Sequence, residues 1–118
     1  MGNTDKFDSI ANSYDNPERT RIAMVASDAI KEYLGDTRSK SAIDFGCGTG
    51  LVGMNLVNEF ESLLFMDTSE NMLDIVKKKI TDVGALNART LCFDFESSSQ
   101  PDLRADYIFM AQVLLHIQ

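Results

Sequence analysis

Three carboxylates sit at the ends of three short apolar runs. Asp44 lies within Ala42-Ile43-Asp44-Phe45, Asp67 follows Leu63 to Met66, and Asp94 follows Thr90 to Phe93. The first run leads straight into Gly46-Cys47-Gly48-Thr49-Gly50. Glycines at this spacing let the backbone turn sharply and approach a ligand, because a Cβ there would clash or demand an unfavourable φ. If the runs are parallel strands of a doubly wound sheet, their carboxyl ends share one crevice, the usual ligand site of such sheets. No Lys or Arg occurs between Ser41 and Val76, so the crevice reads as acidic and free of base. That favours a cationic ligand over a phosphate-bearing one.

The elements that must position these residues follow from patterning. Asn16-Pro17 is a helix start, a capping side chain ahead of a residue whose missing N–H is harmless at the first helical position. Ile22, Ala26, Ala29, Ile30 and Tyr33 recur at helical spacing, and Gly35 is the expected stop. After the first strand and its glycine turn, Leu51, Val52, Leu56 and Val57 form the inner face of a helix. Ser69 is placed to cap a third helix carrying Met72, Leu73, Val76 and Ile80, closed by Gly84. Tyr107 to Met110 begins a fourth apolar run that continues towards Ile117. Alternating strands and helices imply α/β architecture with a parallel sheet. Ser97 to Pro101 reads as a loop between the third and fourth strands, and residues 1–16 as a polar arm with isolated apolar positions Phe7, Ile10 and Tyr14.

Composition narrows the function classes. The 118 residues suffice for one domain, 44% hydrophobic and 25% charged. A formal net charge of -7 disfavours nucleic acid, whose binding needs clustered Lys and Arg. Lys77, Lys78 and Lys79, the one basic cluster, read as a solvated helix face. Cys47 and Cys92 have neither metal-ligand spacing nor a disulfide framework, which points to a reducing compartment. With no signal-peptide pattern and no membrane-spanning stretch, the expectation is a cytoplasmic protein with no metal and no membrane partner.

Two cofactor types compete for the glycine loop. Gly48, Gly50 and Gly53 fit the dinucleotide spacing, which keeps an NAD(P)- or flavin-dependent oxidoreductase in view. A dinucleotide brings a pyrophosphate, whereas S-adenosylmethionine brings a sulfonium and an ammonium, which suit an acidic crevice better. Asp44 could then hold the loop amides and face the ammonium.

Ile43-Asp44-Phe45-Gly46-Cys47-Gly48-Thr49-Gly50 resembles the signature motif of class I S-adenosylmethionine-dependent methyltransferases. The resemblance implies a Rossmann-like sheet of order 3-2-1-4 preceded by an N-terminal lid arm and helix over residues 1–34, with residues 1–118 forming a single cofactor-binding domain. It implies that Asp67 accepts the ribose hydroxyls with Thr68 and Met72 beside the adenosine, and that Asp94 accepts from the adenine amino group. Phe95 would offer a backbone amide and an apolar wall. The stretch Asp106 to His116 is similar to the fourth-strand motif of the small-molecule branch, which puts Ala111 and Gln112 beside the methionine moiety. That branch often has His-His where this chain has Leu115-His116, and no catalytic residue is assigned. Phe7 to Asp15 is similar to the branch's lid arm, so Tyr14 would close over the cofactor.

The resulting expectation is a methyltransferase acting on a small-molecule acceptor. A non-catalytic adenosyl-binding module stands beside it as a third reading. A long apolar run at an edge position suggests that the sheet is truncated after its fourth strand and that copies of the chain pair through that edge.

Overall fold

The structure is a computed structural model that describes residues 15–94 and 104–110. Helix α1 spans Pro17–Tyr33, β1 Ser41–Phe45, α2 Leu51–Leu56 with a 3-10 turn at Val57–Glu59, β2 Ser62–Asp67, α3 Glu70–Val83, β3 Ala88–Cys92 and β4 Tyr107–Phe109. The four strands form one parallel sheet in the order β3-β2-β1-β4, as the sequence led one to expect. In this register Asp44 lies between Phe65 on β2 and Phe109 on β4, while Asp67 pairs with Cys92.

The helix ends follow local chemistry. The Asn16 side chain accepts from the Arg19 amide at 2.8 Å with Pro17 at the first helical position, and the Ser69 hydroxyl accepts from the Met72 amide at 3.3 Å. Gly84, at φ 67°, ends α3 with a Schellman pair: its own amide bonds the Thr81 carbonyl and the Ala85 amide bonds that of Ile80. Gly35 plays no such part. Helix α1 stops because Leu34 turns to extended backbone, its amide still bonded to the Lys31 carbonyl.

Strand side chains alternate between faces. Ala42, Leu63 and Phe65 join one core with Ala23 of α1, Val52 and Leu56 of α2, and Leu73 and Val76 of α3. Ile43, Leu64 and Met66 point the other way, towards Phe45, Leu91, Phe93 and Ala105. All three described helices therefore cover the same face. On α1 the buried positions are Ala23 and Ser27, with Ala26, Ile30 and Leu34 packed beside them, whereas Tyr33 is 92% exposed. Ser27 occupies the core because its hydroxyl donates to the Ala23 carbonyl and accepts from the Asn55 amide group.

β4 is described over the three residues Tyr107–Phe109 and is pinned at its start by Asp106, whose carboxylate accepts from the Ser41 amide at 2.9 Å. Ile108 and Tyr107 are exposed. The residues from 111 onward, the loop Ser97–Pro101 and the arm through Tyr14 lie outside the described residues.

Candidate functional site

The carboxyl ends of β1 and β2 converge on the glycine loop. Gly46, Gly48 and Gly50 all take left-handed φ values, 69°, 58° and 79°, and no non-glycine described residue does. The loop is tied down at its core. The Cys47 amide donates to the Met66 carbonyl at 2.9 Å, and the Gly50 amide to the Cys47 carbonyl at 3.0 Å. Cys47 itself is buried in the core, where desolvation, then Asp44 and Asp67, push its thiol well up, so it packs and does not react.

Asp67 braces this turn. Its Oδ2 accepts from the Gly48 amide at 2.8 Å and its Oδ1 from the Ser69 amide at 2.9 Å, which joins the loop to the start of α3. The part that Asp44 was expected to play toward the loop amides is therefore taken by Asp67. Asp44 is instead 1% exposed, and its Oδ1 has no hydrogen-bond partner. Burial, reinforced by the nearby Asp67, pushes its carboxyl up from the ordinary 3.8 to about 7.

Thr68 is exposed and Met72 half-buried, both at the β2–α3 junction beside Asp67. Asp94 is exposed just past β3, where the Phe93 amide bonds the Asp67 carbonyl and the Phe93 ring lies 4.9 Å from that of Phe45. Asp44, Gly46, Cys47, Gly48, Gly50, Asp67, Thr68 and Asp94 thus all sit at the carboxyl ends of β1, β2 and β3 or in the turns that follow them, and Met72 lies in the first turn of α3. Tyr14, Phe95, Ala111 and Gln112 lie outside the described residues.

Two features escaped the sequence reading. Gly53 counted only as fingerprint spacing, yet an added Cβ would stand 2.3 Å from the Phe65 ring and 2.5 Å from Asp44 Oδ2, so its absence lets α2 lie against both. Lys79 was grouped with its neighbours. Lys77 and Lys78 do pair with Asp74 and Asp82 on the exposed side of α3, but the Lys79 ammonium meets Asp15 Oδ2 and the Thr49 carbonyl oxygen. The underside of the loop is consequently not free of base. Helical phase carried no signal that separates them, since Lys77, Lys78 and Lys79 each lie one turn after a buried residue, Leu73, Ile75 and Val76.

What the arrangement can do is bind. A turn of three left-handed glycines leaves room for close backbone approach, one carboxylate with further lone pairs borders it, and a buried carboxylate oxygen awaits a donor. Among the described residues no group of three His, Cys, Asp or Glu side chains is arranged to hold a metal ion.

No curated protein sequence matches this chain. Solved structures do match it in fold. A SAM dependent methyltransferase from Aquifex aeolicus superposes with a TM-score of 0.69 at 22% identity, over 86% of this chain and 55% of that one. Coclaurine N-methyltransferase, solved with N-methylheliamine and SAH, gives 0.62 at 17% identity, over 73% of this chain and 26% of its own. The cyclase SpnF gives 0.59 at 20% identity, over 70% and 31%. This chain spans about half the length of the first and less of the others. In sequence, the methyltransferase domain family matches residues 42–118, from β1 through the glycine loop onward. With the signature loop and the β3-β2-β1-β4 sheet in place, this chain belongs to the methyltransferase domain family and has the Rossmann-like fold of its class I S-adenosylmethionine-dependent members.

Proposed function

We propose that residues 1–118 form the cofactor-binding domain of an S-adenosylmethionine-dependent methyltransferase with a small-molecule acceptor. The observation that carries this reading is the pair of acids flanking the left-handed glycine turn, Asp67 bonded to the Gly48 amide and Asp44 buried beside it with an unpartnered oxygen. A dinucleotide pyrophosphate would face both carboxylates. The Lys79 ammonium does not offset this, since it is engaged with Asp15 and the Thr49 carbonyl.

The residues fit the cofactor. Asp67 uses one lone pair of each oxygen on backbone amides, and a carboxylate has about four such sites, so both ribose hydroxyls could still donate to it. Asp44 Oδ1 is available to the ammonium, Thr68 and Met72 flank the adenosine, and Asp94 takes the adenine amino group. When bound, the sulfonium supplies an electrophilic methyl carbon with a good leaving group attached. The chain's own task is positioning: a braced loop fixes the cofactor so that an acceptor meets the methyl in line. The formal net charge of -7 supports a small-molecule acceptor over nucleic acid, whose binding needs clustered Lys and Arg. Free Cys47 and Cys92 support a reducing, cytoplasmic setting.

Thermal shifts with S-adenosylmethionine, S-adenosylhomocysteine and NAD test the cofactor, since a ligand bound only by the folded state raises its stability. The expected order is stabilisation by the first two alone. Stabilisation by NAD instead would replace the reading with the oxidoreductase. Because a cyclase shares the fold, transfer of a labelled methyl group to pooled small molecules tests the activity separately.

A further inference from the structure

We propose that Lys79 is a positioning residue: with Asp15 and Thr49 it forms a latch that joins the head of α1 to the glycine loop and holds that loop in its ligand-binding turn. The effect on cofactor rests on the reading above, but the latch rests on geometry alone. Its three bonds close a ring. The Lys79 ammonium donates to Asp15 Oδ2 at 2.5 Å and to the Thr49 carbonyl at 2.7 Å, and the Thr49 hydroxyl donates to Asp15 Oδ1 at 2.5 Å.

The three residues come from three separate parts of the chain: the residue preceding the Asn16 cap, the turn between two left-handed glycines, and the third turn of α3. Thr49 is buried, and the side chains of Lys79 and Asp15 are 25% and 14% exposed. Charge-assisted bonds at that depth are screened far less than the Lys77 and Lys78 pairs on the open face of the same helix. The ammonium also acts on the loop electrostatically, drawing the Cys47 thiol down against the larger upward effects of burial, Asp44 and Asp67. Holding Thr49 from both its carbonyl and its hydroxyl fixes the peptide between Gly48 and Gly50, the backbone with the most conformations to lose when a ligand binds.

Amide hydrogen exchange and calorimetric titration with S-adenosylhomocysteine, on the 118-residue chain, test this. In Lys79→Met and in Asp15→Asn, exchange at Gly48 and Gly50 should quicken about tenfold and the dissociation constant should rise about tenfold, near 1.4 kcal/mol. The double variant should be little worse than either single one, because both remove the same latch. Lys78→Met, which loses the bond to Asp82 on the open face and leaves Asp15 and Thr49 untouched, should change neither quantity. Unaltered exchange in both latch variants overturns the proposal, and lost affinity with unaltered exchange would move Lys79 onto the ligand itself. Should the unmutated chain bind no S-adenosylhomocysteine while Lys79→Met still quickens exchange, the cofactor reading fails and the latch stands.

Discussion

Gly53 faces Asp44 so closely that a Cβ on it would lie 2.5 Å from the carboxylate Oδ2. The same Cβ would meet the Phe65 ring at 2.3 Å, and neither partner has room to retreat, since Phe65 is fully buried and Asp44 1% exposed. Gly53→Ala should therefore destabilise the fold by about 1–3 kcal/mol through overpacking, outweighing the better helix propensity of alanine. Urea unfolding measures it. An unchanged midpoint would show that α2 lifts away from β1 and β2 at no cost.

Asp67→Ala removes the acceptor for two backbone amides, Gly48 and Ser69, along with the proposed ribose contact. Hydrogen bonds to charged groups contribute about 1.5–3 kcal/mol each, so S-adenosylhomocysteine affinity should fall by at least about tenfold. Asp67→Asn, with one acceptor oxygen in place of two, should fall between. Calorimetry that finds the alanine variant binding normally would place the ribose elsewhere.

Gly48 and Gly84 provide a matched pair, at φ 58° and 67°, one in the loop and the other at the end of α3 with open space where a Cβ would go. An alanine at either should cost about 1–2 kcal/mol of backbone strain. Only Gly48→Ala should also abolish cofactor binding, because only there does the side chain enter ligand space. Equal binding by the two folded variants would reduce the loop to a structural turn.

What the sequence made legible was written in local chemistry. Asn16-Pro17, Ser69 and Gly84 set helix ends through caps and a left-handed turn that few residue types satisfy. Apolar runs that carry or precede an Asp placed β1, β2 and β3 to within two residues. Less legible was whatever depended on a partner distant in the chain. Ser27 is buried because Asn55 and the Ala23 carbonyl satisfy it, and Lys79 turns inward to reach Asp15, 64 residues earlier. The division of labour between Asp44 and Asp67 was likewise hidden, since both end apolar runs and only the fold decides which carboxylate reaches the Gly48 amide.

Asp44 makes stability depend on pH in a direction opposite to that of a paired carboxylate. Unfolded, it titrates near the ordinary 3.8; folded, burial and then Asp67 raise it to about 7. Between these values the folded chain holds a proton that the unfolded chain has released, so stability falls as pH rises, and above about pH 7 the whole penalty, about 4 kcal/mol, remains. Asp44→Asn should remove that fall. Chemical unfolding of both proteins from pH 4 to pH 8 shows it as a difference in slope, and parallel curves would mean that the carboxyl is ionised throughout.

The same proton links pH to cofactor binding. If the ligand ammonium faces Asp44, it favours the ionised carboxylate, so binding requires release of the proton held below about pH 7. Affinity for S-adenosylhomocysteine should then climb from pH 5.5 and level off above about pH 7, with a proton released on binding at the lower end. Adenosine, which lacks the ammonium, should show no such climb, and Asp44→Asn should flatten the profile of S-adenosylhomocysteine. Titrations in two buffers of different ionisation enthalpy count the proton directly. A flat profile for the wild-type chain, or an equal climb for adenosine, would remove the ammonium from Asp44 and leave that buried oxygen without its proposed donor.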